Sequence, residues 1–534
     1  MNKPVEKLYD AITNVDEILI DKADKLSHVT KKQNFLYRYK HIFIGLAACI
    51  CLVYGIGFFF LWGPAAGGGS GNEGTSYMAY AGPVFPLSTT SDVNGIEITR
   101  HTNWDFSPYK SEYVTEKVHE DIPENTEYHT YDKYQTESIV TDQYVLNNMT
   151  DRDITLSLMY PFAAKFSDSI DVMPQITTNG TVTSTNFVVG KYTGTYGPAL
   201  GSEDSDEQLN LVDISSWEGY KALLSNDQYF SDALEELPSL DIPVIVYEYS
   251  NLTYSGDTEA SNPTFAIHFE YDRSKTTLSG WGWNGASWNQ DGSGYYSCSR
   301  VYIPGENEID KGATAYLIVI GEDITTPTTQ GYRDGGCDKG EEINGIVNDY
   351  EKYETTLKDF IVNVCFAEFD NFSEYLYGVA DSEESTLLNL LTKEMALGYI
   401  AQLLYDDGML SGHSIERYLW LEDYIYDYPH RSRVMYLTFD VTIPAGGSIT
   451  VDATMIKEAS MDYAGNNKQR NGYDIVTTLA SPFSFTKQTA SITNFDDIVI
   501  LDQNFGFDLE NGITEVELDV KKEHYWMDVY KKAK

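Results

Sequence analysis

Three hydrophobic patterns divide this chain. The first is unbroken: from Ile42 to Trp62, 21 consecutive residues carry no charge. At about 1.5 Å per residue they make roughly 30 Å of helix, the thickness of a bilayer core. A secretory signal has a shorter apolar run, about 7–15 residues, close to the start. The pattern therefore predicts a transmembrane helix over 41–62, with cleavage near Pro64-Ala65-Ala66 as the competing reading. The second pattern has helical spacing: Leu8, Ile12, Val15 and Leu19 recur every three or four residues among acids and lysines. It predicts an amphipathic helix in a stub over 1–40.

The third pattern has period two and fills most of the remainder. Ile154, Leu156, Leu158 and Tyr160 alternate with polar positions, and Asn147–Arg152 separates them from Tyr144–Leu146, which predicts a hairpin. Met435, Leu437, Phe439, Val441 and Ile443 repeat the period, as do Ile449, Val451, Ala453 and Met455 after a Pro444–Gly447 turn. Asn511-Gly512 marks another hairpin turn. Val244–Tyr249 and Tyr316–Ile320 are apolar on both sides, as central strands covered on both faces are. Helical signals are fewer. Ser215 with Glu218 makes a capping box before Leu224, and apolar residues crowd Leu387–Leu404. Lys393, Glu394 and Gln402 interrupt that last run, so it reads as a buried helix and not a second span.

The expected fold is mainly β with a helical insertion (α+β), one transmembrane helix preceding antiparallel β-sandwich-like domains of immunoglobulin-like style. Expected segments are the stub (1–40), the span (41–62), a Gly/Ser-rich linker (63–76), a β domain (77–205), an α+β domain (206–350), a helical segment (351–429) and a C-terminal β-sandwich-like domain (430–534).

Charge orients this plan. Lys31, Lys32, Arg38 and Lys40 precede the span, and the next cation is Arg100. The positive-inside rule places the N-terminus in the cytoplasm and the larger part outside. The chain carries a net charge of −44, and the excess of acids follows the span. Phosphate binding rests on clustered Lys and Arg, so nucleic acid is excluded as a partner class.

The leader run Ala11-Ile12, Val15-Asp16, Leu19-Ile20, Ala23-Asp24, then Lys31-Lys32 and Ala47-Ala48-Cys49, resembles the N-terminus of Gram-positive bacterial single-pass membrane proteins. Those proteins are treated as regulators of extracytoplasmic-function sigma factors. Asp142–Leu146 and Gln503–Gly512 resemble stretches of the uncharacterised β-rich ectodomains that accompany such leaders. The resemblance implies a stub that meets a cytoplasmic regulator such as a sigma factor, and an ectodomain that senses something outside. Leu8, Ile12, Val15 and Leu19 would carry the partner contact; a helix lying on the inner membrane face is the alternative.

Chemistry is sparser. No G-x-S-x-G, H-E-x-x-H, Walker-type loop or dinucleotide fingerprint occurs in the sequence. Asp334, Asp338, Glu341 and Glu342 crowd a Gly-rich loop, and hard oxygens of this kind suit calcium; a solvated acidic turn is the alternative. Trp281, Trp283 and Trp288 form either an aromatic platform for sugar rings or core cover, with Trp281 and Trp283 sharing a face by period two. Cys298, Cys337 and Cys365 follow the span, so a Cys298–Cys337 disulfide competes with three buried thiols. The expected function is a non-enzymatic, membrane-anchored extracytoplasmic sensor. A cell-surface adhesion protein that binds glycan, wall or another ligand is the rival, and a cell-wall hydrolase is the third reading.

Overall fold

A computed structural model describes most of residues 76–532; residues 1–75, 111–135, 199–207, 227, 256–259, 261, 273, 289–294, 301–302, 305–312, 367–385, 407–408, 411–419 and 463–469 lie outside the described set. The predicted stub helix, span and linker are therefore outside it. No helix among the described residues is long and apolar enough to cross a membrane.

The fold is mainly β, with several antiparallel sheets. Two sheets face each other across the largest core. One is four-stranded, in the order Ser88–Thr89, Ile154–Ala164, Arg433–Ile443, Asn186–Tyr192. The other has seven strands, with Phe485–Thr493, Ile96–Asp105, Glu137–Asn148 and Ser448–Glu458 at its centre. All its pairs are antiparallel except Ile96–Asp105 against Phe485–Thr493, which is parallel.

The predicted hairpin at Asn147–Arg152 is an arch instead. Glu137–Asn148 lies in the seven-stranded sheet and Ile154–Ala164 in the four-stranded one. The Pro444–Gly447 turn does the same for the two strands it joins. The arches lie back to back, with Ile154 opposite Ile443 and Asn147 opposite Ser448. Asn148 locks them: its Nδ2 donates to the Ile443 and Pro444 carbonyls, each at 3.1 Å, and its backbone N–H donates to Gly447 O at 2.9 Å. At Asn511-Gly512 a turn does form, with Gly512 at φ 76°, but it closes on one bridge, Asp508–Ile513.

This pairing redraws the domain plan. The first and last β regions, expected to be separate, share both sheets. A second sandwich is inserted between them over 243–356. Leu357 N–H donates to Ile242 O and Lys358 N–H to Leu240 O, so the chain leaves the insertion where it entered. Val244–Tyr249 and Tyr316–Ile320 are central strands with both faces covered, as their pattern predicts. Val246 and Ile318 face the large core, while Tyr247, Leu317 and Val319 face the sandwich's own core. The strand Ile346–Thr356 runs into the segment expected to be helical. It is an edge strand studded with Asp349, Glu351, Lys352 and Glu354, the charge pattern that guards a sheet edge. Leu387–Leu404 divides into a 3-10 turn, Leu387–Leu390, and a buried helix, Lys393–Asp406, that begins after Thr392.

Two cations lie fully inside. Arg100 forms an ion pair with Asp142 at 2.8 Å, both side chains without exposure. Arg433 sits over the rings of Phe166 and Tyr399, with centroids at 4.9 and 5.0 Å, and its Nη1 donates to Gly190 O. Its Nε and Nη2 meet no acceptor among the described residues, and burial lowers its pKa.

Candidate functional site

The described body starts with an extended strap, residues 76–87. It holds no long strand of its own and borrows partners from the body. Ala79 and Met461 exchange backbone bonds at 2.9 Å; Val84 donates to Asp474 O, and Val476 donates to Val84 O. Its two tyrosines are anchored by carboxylates. Tyr77 OH donates to Asp528 Oδ1 at 2.6 Å and Tyr80 OH to Asp474 Oδ2 at 2.5 Å. Asp474 Oδ2 also lies 2.8 Å from His524 Nε2, and the Trp217 ring stacks on that imidazole at 4.8 Å. Burial first, and the Asp474 charge second, hold the Tyr80 hydroxyl well above its ordinary pKa, so this bond stays intact at any physiological pH. Two glycines make room. A Cβ on Gly82, at φ 75°, would fall 2.7 Å from Ala163 Cβ, and one on Gly472 would strike the Tyr77 ring.

Between the strap and the sheet ends lies a cleft of about 390 Å³, at the small end of the range of small-molecule sites. Met78, Tyr80 and Phe85 of the strap form one wall; Phe162, Ile214 and Met455 contribute to the others. Four charged residues line it, Lys165, Asp168, Lys457 and Glu458, and two of them have shifted protonation. Lys457 continues the inward series Ile449, Val451, Ala453, Met455 on its strand, so period-two geometry carries an ammonium into an apolar row. It is 8% exposed and donates to Ala81 O at 2.6 Å. Burial lowers its pKa to about 8, against the opposing pull of Asp474, Glu458 and Asp168. Asp168 sits past the end of Ile154–Ala164, where its Oδ2 accepts from Lys165 N–H at 2.6 Å. Burial raises its carboxyl to about 6. A cleft lined by groups whose protonation burial has shifted is a candidate functional site.

The residues singled out in the sequence lie elsewhere. Leu8, Ile12, Val15 and Leu19 are outside the described residues. Trp281 and Trp283 do not share a face: Gly282, at φ 80°, breaks the alternation between them. Trp281 enters the large core and Trp283 the sandwich core, each 3% exposed, and Trp283 Nε1 donates to Tyr316 O. The expected platform is therefore core cover. Trp288 ends a short strand, and its side chain is outside the described set.

Asp334, Asp338, Glu341 and Glu342 are exposed and serve their own loop. Asp334 accepts from Gly336 N–H, Glu342 from Gly340 N–H, and Glu341 pairs with Arg333 at 3.3 Å. No three His, Cys, Asp or Glu converge as a metal cluster among the described residues. All three cysteines after the span are free thiols, and no Cys298–Cys337 bridge forms. Cys298 points into the sandwich core, whereas Cys337 hydrogen-bonds Ser299, whose side chain leaves the same strand on the opposite face.

Neither Lys457 nor Asp168 is among the residues the sequence singles out: no local pattern marks Asp168, and the period-two reading that leads to Lys457 stops at Met455. One step further, the same series shows a lysine where an apolar residue belongs. No family model, curated protein or solved structure matches this chain.

Proposed function

We propose that this chain is a single-pass, membrane-anchored extracytoplasmic sensor. The uncharged run Ile42–Trp62 and the cations before it support the anchor and its orientation. The observation that carries the reading is the position of the strap. The chain that follows the span and linker becomes one wall of the cleft, so a ligand held there touches the segment that leads back to the membrane. Inside the cell, the stripe Leu8, Ile12, Val15 and Leu19 would meet a cytoplasmic regulator of the sigma-factor kind. The adhesion reading lost its motivating residues when Trp281 and Trp283 proved buried.

Two measurements test this function. Protease treatment of intact cells is expected to digest the body after residue 76 and spare the stub. Ile12→Asp is expected to change transcript levels of the regulated genes at least tenfold. A protected body, or an unaltered transcriptome, overturns the reading.

A further inference from the structure

Lys457 and Asp168 carry opposite charges, line one cleft, and do not pair. Lys457 has one hydrogen-bond acceptor, Ala81 O, and no carboxylate within 4 Å among the described residues. Two of its three N–H donors remain free. Asp168 uses Oδ2 on Lys165 N–H and leaves Oδ1 without a donor. A buried charge is normally paired, because an unpaired one keeps its full desolvation cost; Lys457 is buried and Asp168 partly so. Here both line one cleft without an ion pair between them. The remaining charged neighbours do not fill the gap. Asp474 is committed to Tyr80 and His524, while Glu458, exposed at the end of its strand, and Lys165 also line the cleft and form no ion pair with either group among the described residues.

Resting on the reading of the cleft as the ligand site, we propose that it takes a small zwitterion, a free amino acid or a dipeptide, with its carboxylate on Lys457 and its ammonium on Asp168. A ligand with only a carboxylate would satisfy Lys457 and set a second anion beside Asp168. A ligand with only an amine would do the reverse. The apolar walls from Phe162, Ile214 and Met455 suit a short aliphatic side chain.

Protonation adds a second readout. Asp168 titrates near 6 and Lys457 near 8, so both are ionised only between those values. Below about pH 6 the carboxyl takes a proton and loses its hold on the ammonium. Above about pH 8 the amine loses its proton and its hold on the carboxylate. Affinity is expected to be highest between the two and to fall about tenfold per unit on either side.

The test is calorimetric titration of the full chain in nanodiscs with L-alanine and L-alanyl-L-alanine, which separates the amino acid from the dipeptide. N-acetyl-L-alanine and L-alaninamide are the charge-blocked controls. The proposal expects one of the zwitterions to bind, each blocked form of L-alanine at least tenfold more weakly than its parent if the amino acid is the ligand, and the same for the blocked dipeptides if the dipeptide is. It also expects Lys457→Met and Asp168→Asn to remove binding while the melting temperature is kept. If the blocked forms bind as well as their parents and Lys457→Met abolishes them all, the zwitterion class is overturned and the cleft remains the ligand site. If a zwitterion binds and neither substitution matters, the cleft reading falls as well. If neither zwitterion binds, the proposal is wrong.

Discussion

Asp142→Ala is expected to cost about 3–5 kcal/mol, the range for breaking a buried ion pair from one side. Asp142 accepts Arg100 Nε and Nη2 at 2.8 Å, Thr102 Oγ1 at 2.8 Å, Tyr160 OH at 3.1 Å and the Tyr144 hydroxyl. Removing it orphans four donor groups at once. Arg100 keeps only the carbonyls of Val476 and Phe85. Its guanidinium cannot shed the cost by losing a proton, because arginine stays charged in proteins. Whole domains are stable by only about 5–15 kcal/mol, so the loss is a large share of the total. Chemical denaturation of the full chain checks this. A change under about 1 kcal/mol would show that the pair does not organise the core. The double variant Arg100→Met with Asp142→Leu is expected to recover only the part of the loss due to the unpaired guanidinium, since the Thr102, Tyr144 and Tyr160 hydroxyls still lack their acceptor.

The second large effect is local. Gly472→Ala places a Cβ 2.1 Å from Tyr77 Oη and 2.2 Å from Cζ. The ring must leave, and with it the bond to Asp528. Overpacking of this kind costs about 1–3 kcal/mol. Because the strap is held by scattered bonds and no ladder, the cost is expected to appear as local opening. Hydrogen exchange at the amides of Tyr77, Ala79 and Val84 should speed up about 10- to 100-fold, with the Glu137–Asn148 and Ser448–Glu458 ladder unchanged. Uniform loss of protection, or none, would show that the strap is no separate unit. In cells, the sensor reading expects Gly472→Ala to shift the output in the absence of ligand.

The inward and outward positions of Ser448–Glu458 and of the second half of Arg433–Ile443 follow the expected alternation, whereas Val434 and Tyr436 are buried in a second core on the other face; the two-sided apolarity of Val244–Tyr249 marks a central strand. These features are local, since side chains alternate from one residue to the next along any strand. The arches were illegible because a loop between two alternating runs looks the same whether it joins neighbours in one sheet or crosses to another. What decides is Asn148 reaching carbonyls about 295 residues further along the chain. The tryptophans misled for a related reason: period two holds only while the backbone stays extended, and Gly282 leaves that conformation.

By itself, then, the sequence determined many of the strands and most of the inward positions along them, where the long uncharged run lies and where the negative charge accumulates. Tertiary structure decided which strands pair, that the two ends of the body share their sheets, and that Lys457 and Asp168 look into one cavity. The division has a physical origin. Alternation and charge are properties of adjacent residues, whereas pairing and cavities are set by packing between segments hundreds of residues apart, where many registers satisfy the same local pattern and only one fills the core.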